Sequence, residues 1–150
     1  MDIENGGVNL DALKLSNQLC FPLYAAAREV VKQYTPYLEK IGLTYTQYIV
    51  MLVLWEKKQI GAKQLGALLF LDSGTITPVV KKLEQAGLVK RIRGTVDERT
   101  LDIILTPEGE AVKGKAATIP NEIAQCIHLN TEEATTLYTL LNKMLGNFKQ

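Results

Sequence analysis

The feature that most constrains the fold is a helix followed at once by a strand, a turn and a second strand. The predicted helix runs from about Thr75 to Ala86 and stops at Gly87, a residue type favoured just past a helix end. The segments "LVKRIR", "GTVDER" and "TLDIILT" then indicate strand, turn and strand, with Gly94 at the bend. The sequence therefore predicts a helix that leads directly into a basic β-hairpin.

Three helices are predicted before this segment. Apolar residues recur at intervals of three and four between Leu15 and Leu38, which indicates a long amphipathic helix that Pro22 starts or bends. Thr44 is a plausible N-cap for "YTQYIVMLVLWEKK", a helix that is apolar almost all round and is therefore expected to be buried. A short third helix, "AKQLGALLF", and the polar turn "LDSG" follow. This order is that of a winged helix-turn-helix, so we predict a mainly α fold with a small β-hairpin wing (α+β).

Further helices are predicted after the hairpin. Thr106 and Pro107 are N-cap and first-turn signals for a fifth helix, and Pro120 interrupts the segment that follows. Asn130 and Glu133 resemble a capping box that opens a last helix with one apolar stripe. The stripes at both ends exceed what one subunit can cover, so we expect a homodimer. The predicted organisation is one domain, 1–150, with a winged helix-turn-helix lobe at about 44–105 and dimerisation helices at about 10–40 and 106–150.

Composition excludes several classes of protein. With 47% hydrophobic and 22% charged residues, the chain has the balance of an ordinary soluble globular protein. Its longest apolar run is too short to cross a bilayer, and "MDIENGG" lacks the layout of a signal peptide, so we expect a cytoplasmic protein without a membrane partner. The two cysteines match neither a disulfide framework nor a zinc spacing. His128 has no companions at metal-ligand spacing, so we assign no metal and no cofactor.

One face of the fourth helix is predicted to contact DNA. The net charge of +1 gives no overall basic field, but residues 60–105 carry seven Lys and Arg against five acids. At about 100° per residue, apolar side chains form a core-facing arc, and small hydroxyls and lysines lie opposite it, suited to a groove and its phosphates. The predicted contacts are Ser73, Gly74, Thr75, Thr77, Pro78, Lys81, Lys82 and Gln85. The alternative is an ordinary solvated helix face.

The hairpin adds basic residues beside that helix. Arg91, Arg93 and Arg99 flank the glycine turn, and Asp97 lies two residues before Arg99. An arginine at a wing tip can enter a narrow minor groove while a neighbouring aspartate fixes its conformation by a charge-assisted hydrogen bond. We therefore predict that all four residues belong to the DNA-binding surface. The alternative is a surface ion pair that contributes at most about 1 kcal/mol.

These segments resemble a known family. "LDSGTITPVVKKLEQAGLVKRIRGTVDERTLDIILTPEGE" resembles the recognition helix and wing of MarR-family regulators, with Asp97 and Arg99 at the positions of their wing motif. "QLCFPLY", "YTPYL" and "LTYTQYIVMLVLWE" resemble the thiol-based organic-hydroperoxide-resistance branch, from which Pro22 departs. The resemblance covers Leu15 to Glu110. It implies a homodimeric repressor that binds a pseudopalindromic DNA operator and releases it when Cys20 is oxidised by an organic hydroperoxide or a related oxidant.

Helix geometry limits which tyrosines can serve Cys20. A sensing thiolate needs donors that stabilise its negative charge, and Tyr24 lies one turn away on the same helical face. Tyr34 is roughly 21 Å farther along the axis at 1.5 Å per residue, so any contact between Cys20 and Tyr34 must join two subunits. The family resemblance implies that the partner subunit's Tyr34 and Tyr45 meet Cys20. A cysteine that serves only in packing is the alternative.

The role of Cys126 stays open at the level of the sequence. The resemblance implies either that Cys126 captures oxidised Cys20 of the other subunit, or that Cys20 forms a mixed disulfide with a low-molecular-weight thiol. Ile119, Ile123 and Cys126 also share a helical face, which is consistent with simple packing. A second hypothesis replaces oxidation by a small aromatic ligand bound between the dimer helices. A cysteine-based peroxidase is the third, but no catalytic histidine or nucleophile motif accompanies Cys20, so we predict that the protein is not an enzyme.

Overall fold

The computed structural model describes residues 9–94 and 96–148, in which seven α-helices surround a three-stranded antiparallel sheet of order β1-β3-β2. The predicted mainly α fold with a hairpin wing is confirmed. Two short 3-10 helices, Leu10–Leu13 and Leu15–Asn17, precede the first α-helix. The elements are α1 Cys20–Glu39, α2 Tyr45–Lys57, β1 Gln59–Gly61, α3 Ala62–Leu69, α4 Ser73–Gln85, β2 Val89–Arg93, β3 Leu101–Leu105, α5 Pro107–Ala116, α6 Ile119–Ile127 and α7 Thr131–Gly146.

Side-chain caps fix the starts of four helices. Thr44 and Gln47 form a capping box at α2, and Asn130 and Glu133 form the predicted one at α7. Thr106 accepts a hydrogen bond from the backbone N–H of Gly109 at 3.1 Å, as expected of an N-cap. The cap of α4 is Asp72, whose Oδ1 accepts from the N–H of Thr75 at 2.9 Å. This helix therefore begins at Ser73, earlier than the predicted start near Thr75.

Two sequence predictions need correction. The apolar spacing begins at Leu15, but the first α-helix begins at Cys20, because the preceding residues form 3-10 turns; of the two roles predicted for Pro22, the structure supports the start of the helix. Pro22 falls in the first turn of α1, where its missing N–H has no helical acceptor to lose. The sheet has a third strand, β1, whose Ile60 pairs with Ile103. With only three residues, β1 is too short to show alternation in the sequence.

The buried core lies mainly in the winged helix-turn-helix lobe. Its largest fully buried side chains include Met51 and Leu54 of α2, Leu65 of α3, Leu83 of α4 and Ile103 of β3. In contrast, α7 contains no buried residue, and α1 buries only one, near its C-terminal end. Along the described residues, no helix combines the length and apolar character needed to cross a membrane.

The start of α5 is fixed directly to this lobe. The indole N–H of Trp55 donates to the carbonyl oxygen of Gly109 at 2.9 Å. A Cβ atom built on Gly109 would lie 2.2 Å from the carbonyl oxygen of Leu88, so the two backbones approach closely there. Lys58 and Glu110 add an ion pair of 2.7 Å at the surface. The winged helix-turn-helix lobe and the first C-terminal helix are thus joined through a packed contact.

Candidate DNA-binding face and thiol site

The fourth helix presents the predicted polar face to solvent. Ile76, Val80 and Leu83 are buried and Val79 is half-buried, so the predicted core-facing arc is confirmed. Pro78 lies inside the helix and has no N–H to donate to the carbonyl of Gly74. The residues of the opposite face are all exposed: Ser73, Gly74, Thr75, Thr77, Pro78, Lys81, Lys82 and Gln85. This face has the small N-terminal residues and the distal lysines of a groove-binding helix.

The wing is closed by a tight loop between β2 and β3. The N–H of Gly94 donates to the carbonyl oxygen of Thr100 at 2.9 Å. A Cβ atom on Gly94 would lie 2.0 Å from Thr100 Oγ1 and 2.6 Å from the carbonyl oxygen of Asp97, so this position has no room for a side chain. Glycine at the bend was predicted for its turn geometry, and the structure adds a steric reason.

The predicted hydrogen bond between Asp97 and Arg99 is present at the wing tip. Asp97 Oδ1 accepts from the backbone N–H of Arg99 at 3.0 Å and from its Nε at 3.2 Å. The backbone hydrogen bond, followed by the side-chain one, lowers the pKa of Asp97 and keeps it ionised. The Arg99 side chain is 91% exposed, so the aspartate orients it without covering it.

The other two wing arginines differ in their surroundings. Arg93 is exposed at the end of β2. Arg91 is half-buried, and its guanidinium lies 2.9 Å from Glu84 of α4. Glu84 was missed in the sequence because it lies between the core-facing arc and the DNA-facing arc of the helical projection. Its only signal in the sequence was a carboxylate seven residues before Arg91.

Cys20 is an exposed thiol at the first residue of α1. No side chain caps the start of this helix, so its first-turn N–H groups are left to other acceptors. Tyr24 lies one turn on, as predicted, but its hydroxyl accepts from Arg28 Nη1 at 3.5 Å. The Arg28 guanidinium also lies 5.4 Å from the centre of the Tyr24 ring. The Tyr24 oxygen is therefore an acceptor for Arg28 within one chain and keeps its own O–H to donate.

The structure brings Tyr34 and Tyr45 together at the other end of α1. Their ring centres are 4.9 Å apart, and the Tyr34 ring lies 5.7 Å from that of buried Tyr48. Burial, followed by the nearby phenols of Tyr45 and Tyr48, raises the pKa of Tyr34 to about 12. Burial also raises the pKa of Tyr45. Both hydroxyls therefore remain protonated hydrogen-bond donors at neutral pH.

Cys126 lies beside a tyrosine that the sequence analysis did not select. Helix α6 packs against α1, and the half-buried Cys126 of α6 is close enough to Tyr37 of α1 to shift its pKa. The negative charge of the ionised Cys126 thiol, and then a hydrogen bond with it, raise the pKa of Tyr37. Ile119 and Ile123, which share its helical face, are buried, whereas Cys126 is only partly covered. Tyr37 carried no signal because its partner comes from a distant helix.

Comparison with known proteins gives the family. The family described as transcriptional regulator SarA/Rot matches residues 32–116, more than half of the chain. The chain belongs to this family. The match runs from the C-terminal half of α1 to the end of α5 and so includes the whole winged helix-turn-helix lobe.

Individual relatives agree with the predicted branch. The chain is 46% identical over 138 residues to the organic hydroperoxide resistance transcriptional regulator of Bacillus subtilis (strain 168), covering 89% of this chain and 94% of that protein. The predicted resemblance to MarR-type and organic-hydroperoxide-resistance regulators is confirmed. Reduced AbfR bound to DNA, a protein of Staphylococcus epidermidis, is 35% identical, covers 93% of this chain and 98% of its own, and gives a TM-score of 0.75.

A second structure of the same relative differs more. The disulfide-formed AbfR is 36% identical and covers 92% of this chain and 94% of its own, but its TM-score is only 0.59. Sequence and coverage are nearly equal in the two comparisons, so the difference lies in conformation. The conformation of this chain is therefore more similar to the reduced, DNA-bound form of AbfR than to its disulfide form.

Proposed function

We propose that the protein is a homodimeric transcriptional repressor that binds a pseudopalindromic DNA operator and releases it when Cys20 is oxidised by an organic hydroperoxide. The observation that carries this proposal is the pairing of Tyr34 and Tyr45, with ring centres 4.9 Å apart. Tyr34 shares the continuous helix α1 with Cys20 but lies roughly 21 Å along its axis from that cysteine. The tyrosine pair can therefore serve only the Cys20 of the partner subunit. The similarity to an organic hydroperoxide resistance regulator supports this class of oxidant, and the similarity to AbfR bound to DNA supports DNA binding.

The thiol chemistry begins with Cys20 in its thiolate form. The N-terminus of α1 favours negative charge at sulfur, and hydrogen bonds from the partner subunit's Tyr34 and the partner subunit's Tyr45 add to this effect. Sulfur attacks the terminal oxygen of the hydroperoxide, the O–O bond breaks, and the alkoxide takes a proton to leave as an alcohol. The product is a Cys20 sulfenic acid. Oxidation is stoichiometric in this scheme, so the protein acts as a sensor and not as an enzyme.

A second thiol then converts the sulfenic acid into a disulfide. Attack by the Cys126 thiolate of the other subunit forms the S–S bond and breaks the S–O bond, and the hydroxide takes a proton from solvent to leave as water. The Tyr37 hydroxyl, beside Cys126, is a ready hydrogen-bond donor to that thiolate. A low-molecular-weight thiol can react with the Cys20 sulfenic acid in the same way, which gives a mixed disulfide and water. Mass spectrometry of the peroxide-treated protein distinguishes a Cys20–Cys126 crosslink from a mixed disulfide and from the free sulfenate.

DNA binding uses the exposed face of α4 and the wing. The α4 face enters the major groove, its lysines meet phosphates, and Arg99 reaches into the minor groove while Asp97 fixes its orientation. Arg93 adds a phosphate contact from the wing, whereas the guanidinium of Arg91 is bound to Glu84. Two copies related by a twofold axis read the two halves of a pseudopalindrome. The protein would work in the cytoplasm, where its DNA is accessible.

Oxidation releases DNA through linkage between the two sites. A change at Cys20 that favours the non-binding arrangement of the dimer by about 3 kcal/mol weakens operator affinity more than a hundredfold. A bulkier, more polar sulfur group or a disulfide at the packed interface between subunits can supply such a difference. Cys20 and the DNA-binding surface therefore need no direct contact.

A gel-shift titration tests this function. Wild-type protein should leave the operator when treated with an organic hydroperoxide, whereas Cys20→Ser should remain bound. Cys126→Ser shows whether the second thiol is needed: it should still release the operator if a mixed disulfide at Cys20 suffices, and remain bound if the Cys20–Cys126 disulfide is required. Equal release of wild type and Cys20→Ser would exclude Cys20 as the sensing residue.

A specific cleft favours a second candidate trigger. A cavity of about 1200 Å³ lies between α3 and the C-terminal half of α7, and Leu68, Phe70, Leu145 and Phe148 line it together with Lys63. The lining also includes a second cation, Lys57, and one carboxylate, Asp72, so the cleft would suit a small aromatic ligand whose anionic group lies near the lysines. Ligand-dependent release of DNA by a variant with both cysteines replaced would support this trigger in place of oxidation.

A further inference from the structure

Glu84 of α4 and Arg91 of β2 form a charged contact that joins the helix to the wing. Glu84 Oε1 accepts from Arg91 Nε at 3.0 Å and lies 2.9 Å from its Nη2. The other carboxylate oxygen, Oε2, accepts from the backbone N–H of Arg91 at 2.9 Å. One carboxylate therefore holds both the guanidinium and the main chain of Arg91. We call this contact the Glu84–Arg91 clamp.

The register of the hairpin explains why the main chain of Arg91 needs this partner. The bond from Gly94 N–H to Thr100 sets the alternation of the antiparallel ladder, in which Arg91 stands opposite Ile103 in a non-hydrogen-bonded pair. The N–H of Arg91 consequently points away from β3. Since β2 is an edge strand, no further strand can accept that hydrogen bond. Glu84 takes the place of the missing strand.

The clamp is also better shielded than the ion pair at the wing tip. The side chains of Arg91 and Glu84 are 28% and 34% exposed, compared with 91% for Arg99 in its pair with Asp97. Less solvent means weaker screening of the charges. The hydrogen bonds from Arg91 lower the pKa of Glu84, so the carboxylate stays ionised at neutral pH.

We propose that Glu84 is a positioning residue for DNA binding, which holds the wing in a fixed orientation relative to the recognition helix, and that Arg91 serves as its partner and not as a phosphate contact. This inference rests on the proposed function, because it requires that α4 and the wing bind the same DNA. The two elements must reach neighbouring grooves together. A rigid link between them removes the cost of ordering the wing during binding.

The clamp and simple electrostatics predict opposite signs for one substitution. A carboxylate near DNA repels phosphates, so loss of its charge alone would tighten binding. Loss of the clamp would loosen the wing and weaken binding. Glu84→Gln therefore separates the two. Glu98→Gln is the matched control, because Glu98 is an exposed acid on the wing that makes no hydrogen bond or ion pair with the described residues.

The experiment measures affinity for a duplex that the wild-type protein selects from a randomised pool. Glu84→Gln should weaken binding about tenfold, whereas Glu98→Gln should bind as tightly as wild type or more tightly. Arg91→Gln should weaken binding by a similar factor without changing the salt dependence of the affinity. The double variant should bind no more weakly than either single variant. A lost phosphate contact would instead lower the slope of log K against log salt by about 0.9.

The outcomes separate the clamp from the proposed function. If the wild-type protein selects no duplex, the proposed function fails. If it selects one, and Glu84→Gln binds that duplex as well as wild type does, the clamp fails while the proposed function stands. Circular dichroism checks that each variant is folded. If Glu84→Gln does not fold, the salt dependence of Arg91→Gln decides between positioning and phosphate contact.

Discussion

The winged helix-turn-helix lobe and the terminal helices of this chain differ in how they use their apolar residues. The lobe buries its apolar faces within one subunit, and its helix starts and hairpin are fixed by local hydrogen bonds. At the two ends the apolar side chains remain uncovered. Sixteen of the twenty-one large exposed apolar side chains of the described residues lie within residues 10–31 and 127–148. The lobe is complete in one copy, and the ends require a second.

The strongest test of this contrast is a charge placed on the uncovered surface. Leu140 of α7 is 53% exposed and Leu101 of β3 is 38% exposed, so both side chains are open to solvent in one subunit. If α7 is covered by a second copy, Leu140→Glu must bury an unpaired charge, and the dissociation constant of the dimer should rise at least about a hundredfold. Sedimentation equilibrium measures this constant.

Leu101→Glu is the control for that experiment. It introduces the same charge on an exposed apolar side chain of the wing, and should leave the dimer intact. A dimer that tolerates Leu140→Glu equally well would show that the uncovered surface of α7 is not the subunit interface.

A second prediction concerns the joint between the two regions. A methyl group on Gly109 would lie 2.2 Å from the carbonyl oxygen of Leu88, which belongs to the backbone and cannot turn aside. Gly109→Ala should therefore lower the free energy of unfolding by about 2 to 3 kcal/mol. Gly114, on the same helix, has nothing within 4 Å of such a methyl group. Gly114→Ala should instead stabilise the protein by up to about 1 kcal/mol, and urea titrations of both variants measure the difference.

A third prediction uses the tyrosine cluster, which lies where the lobe meets α1. The folded protein raises the pKa of Tyr34 to about 12 from its ordinary value of 10.0. The protonated phenol is thus favoured by folding, so its contribution is fully present below pH 10 and is lost as the pH rises towards 12. The free energy of unfolding of wild type should fall over this range by about 2 kcal/mol relative to that of Tyr34→Phe.

The alkaline experiment compares Tyr34→Phe directly with wild type. Chemical unfolding at several pH values provides the comparison. If Tyr34→Phe and wild type lose stability in parallel, the cluster does not hold Tyr34 in its protonated form.

The contrast between the regions also explains what could be predicted from the sequence. The core-facing arc of α4 and the caps at Thr44, Thr106 and Asn130 follow from residue types a few positions apart, and all of them were confirmed. The apolar pattern placed the N-terminal limit of α1 too early, at Leu15, because apolar spacing continues through the preceding 3-10 turns, whereas Pro22 does lie in the first turn. The interaction of Tyr37 with Cys126 was missed because it depends on how α6 packs against α1, which cannot be predicted from the spacing of residues within either helix.

The smallest predicted effect separates two contacts that join the same elements. Trp55 donates a buried hydrogen bond to Gly109, and Lys58 forms an ion pair with Glu110 whose side chains are 57% and 46% exposed. Trp55→Phe removes this buried hydrogen bond and should lower the free energy of unfolding by about 1 to 2 kcal/mol. Glu110→Gln should cause no measurable change, because solvent already screens that pair. Circular dichroism during urea unfolding follows both variants. If Glu110→Gln proves the more damaging, the joint between lobe and C-terminal helices depends on surface charge and not on the packed indole.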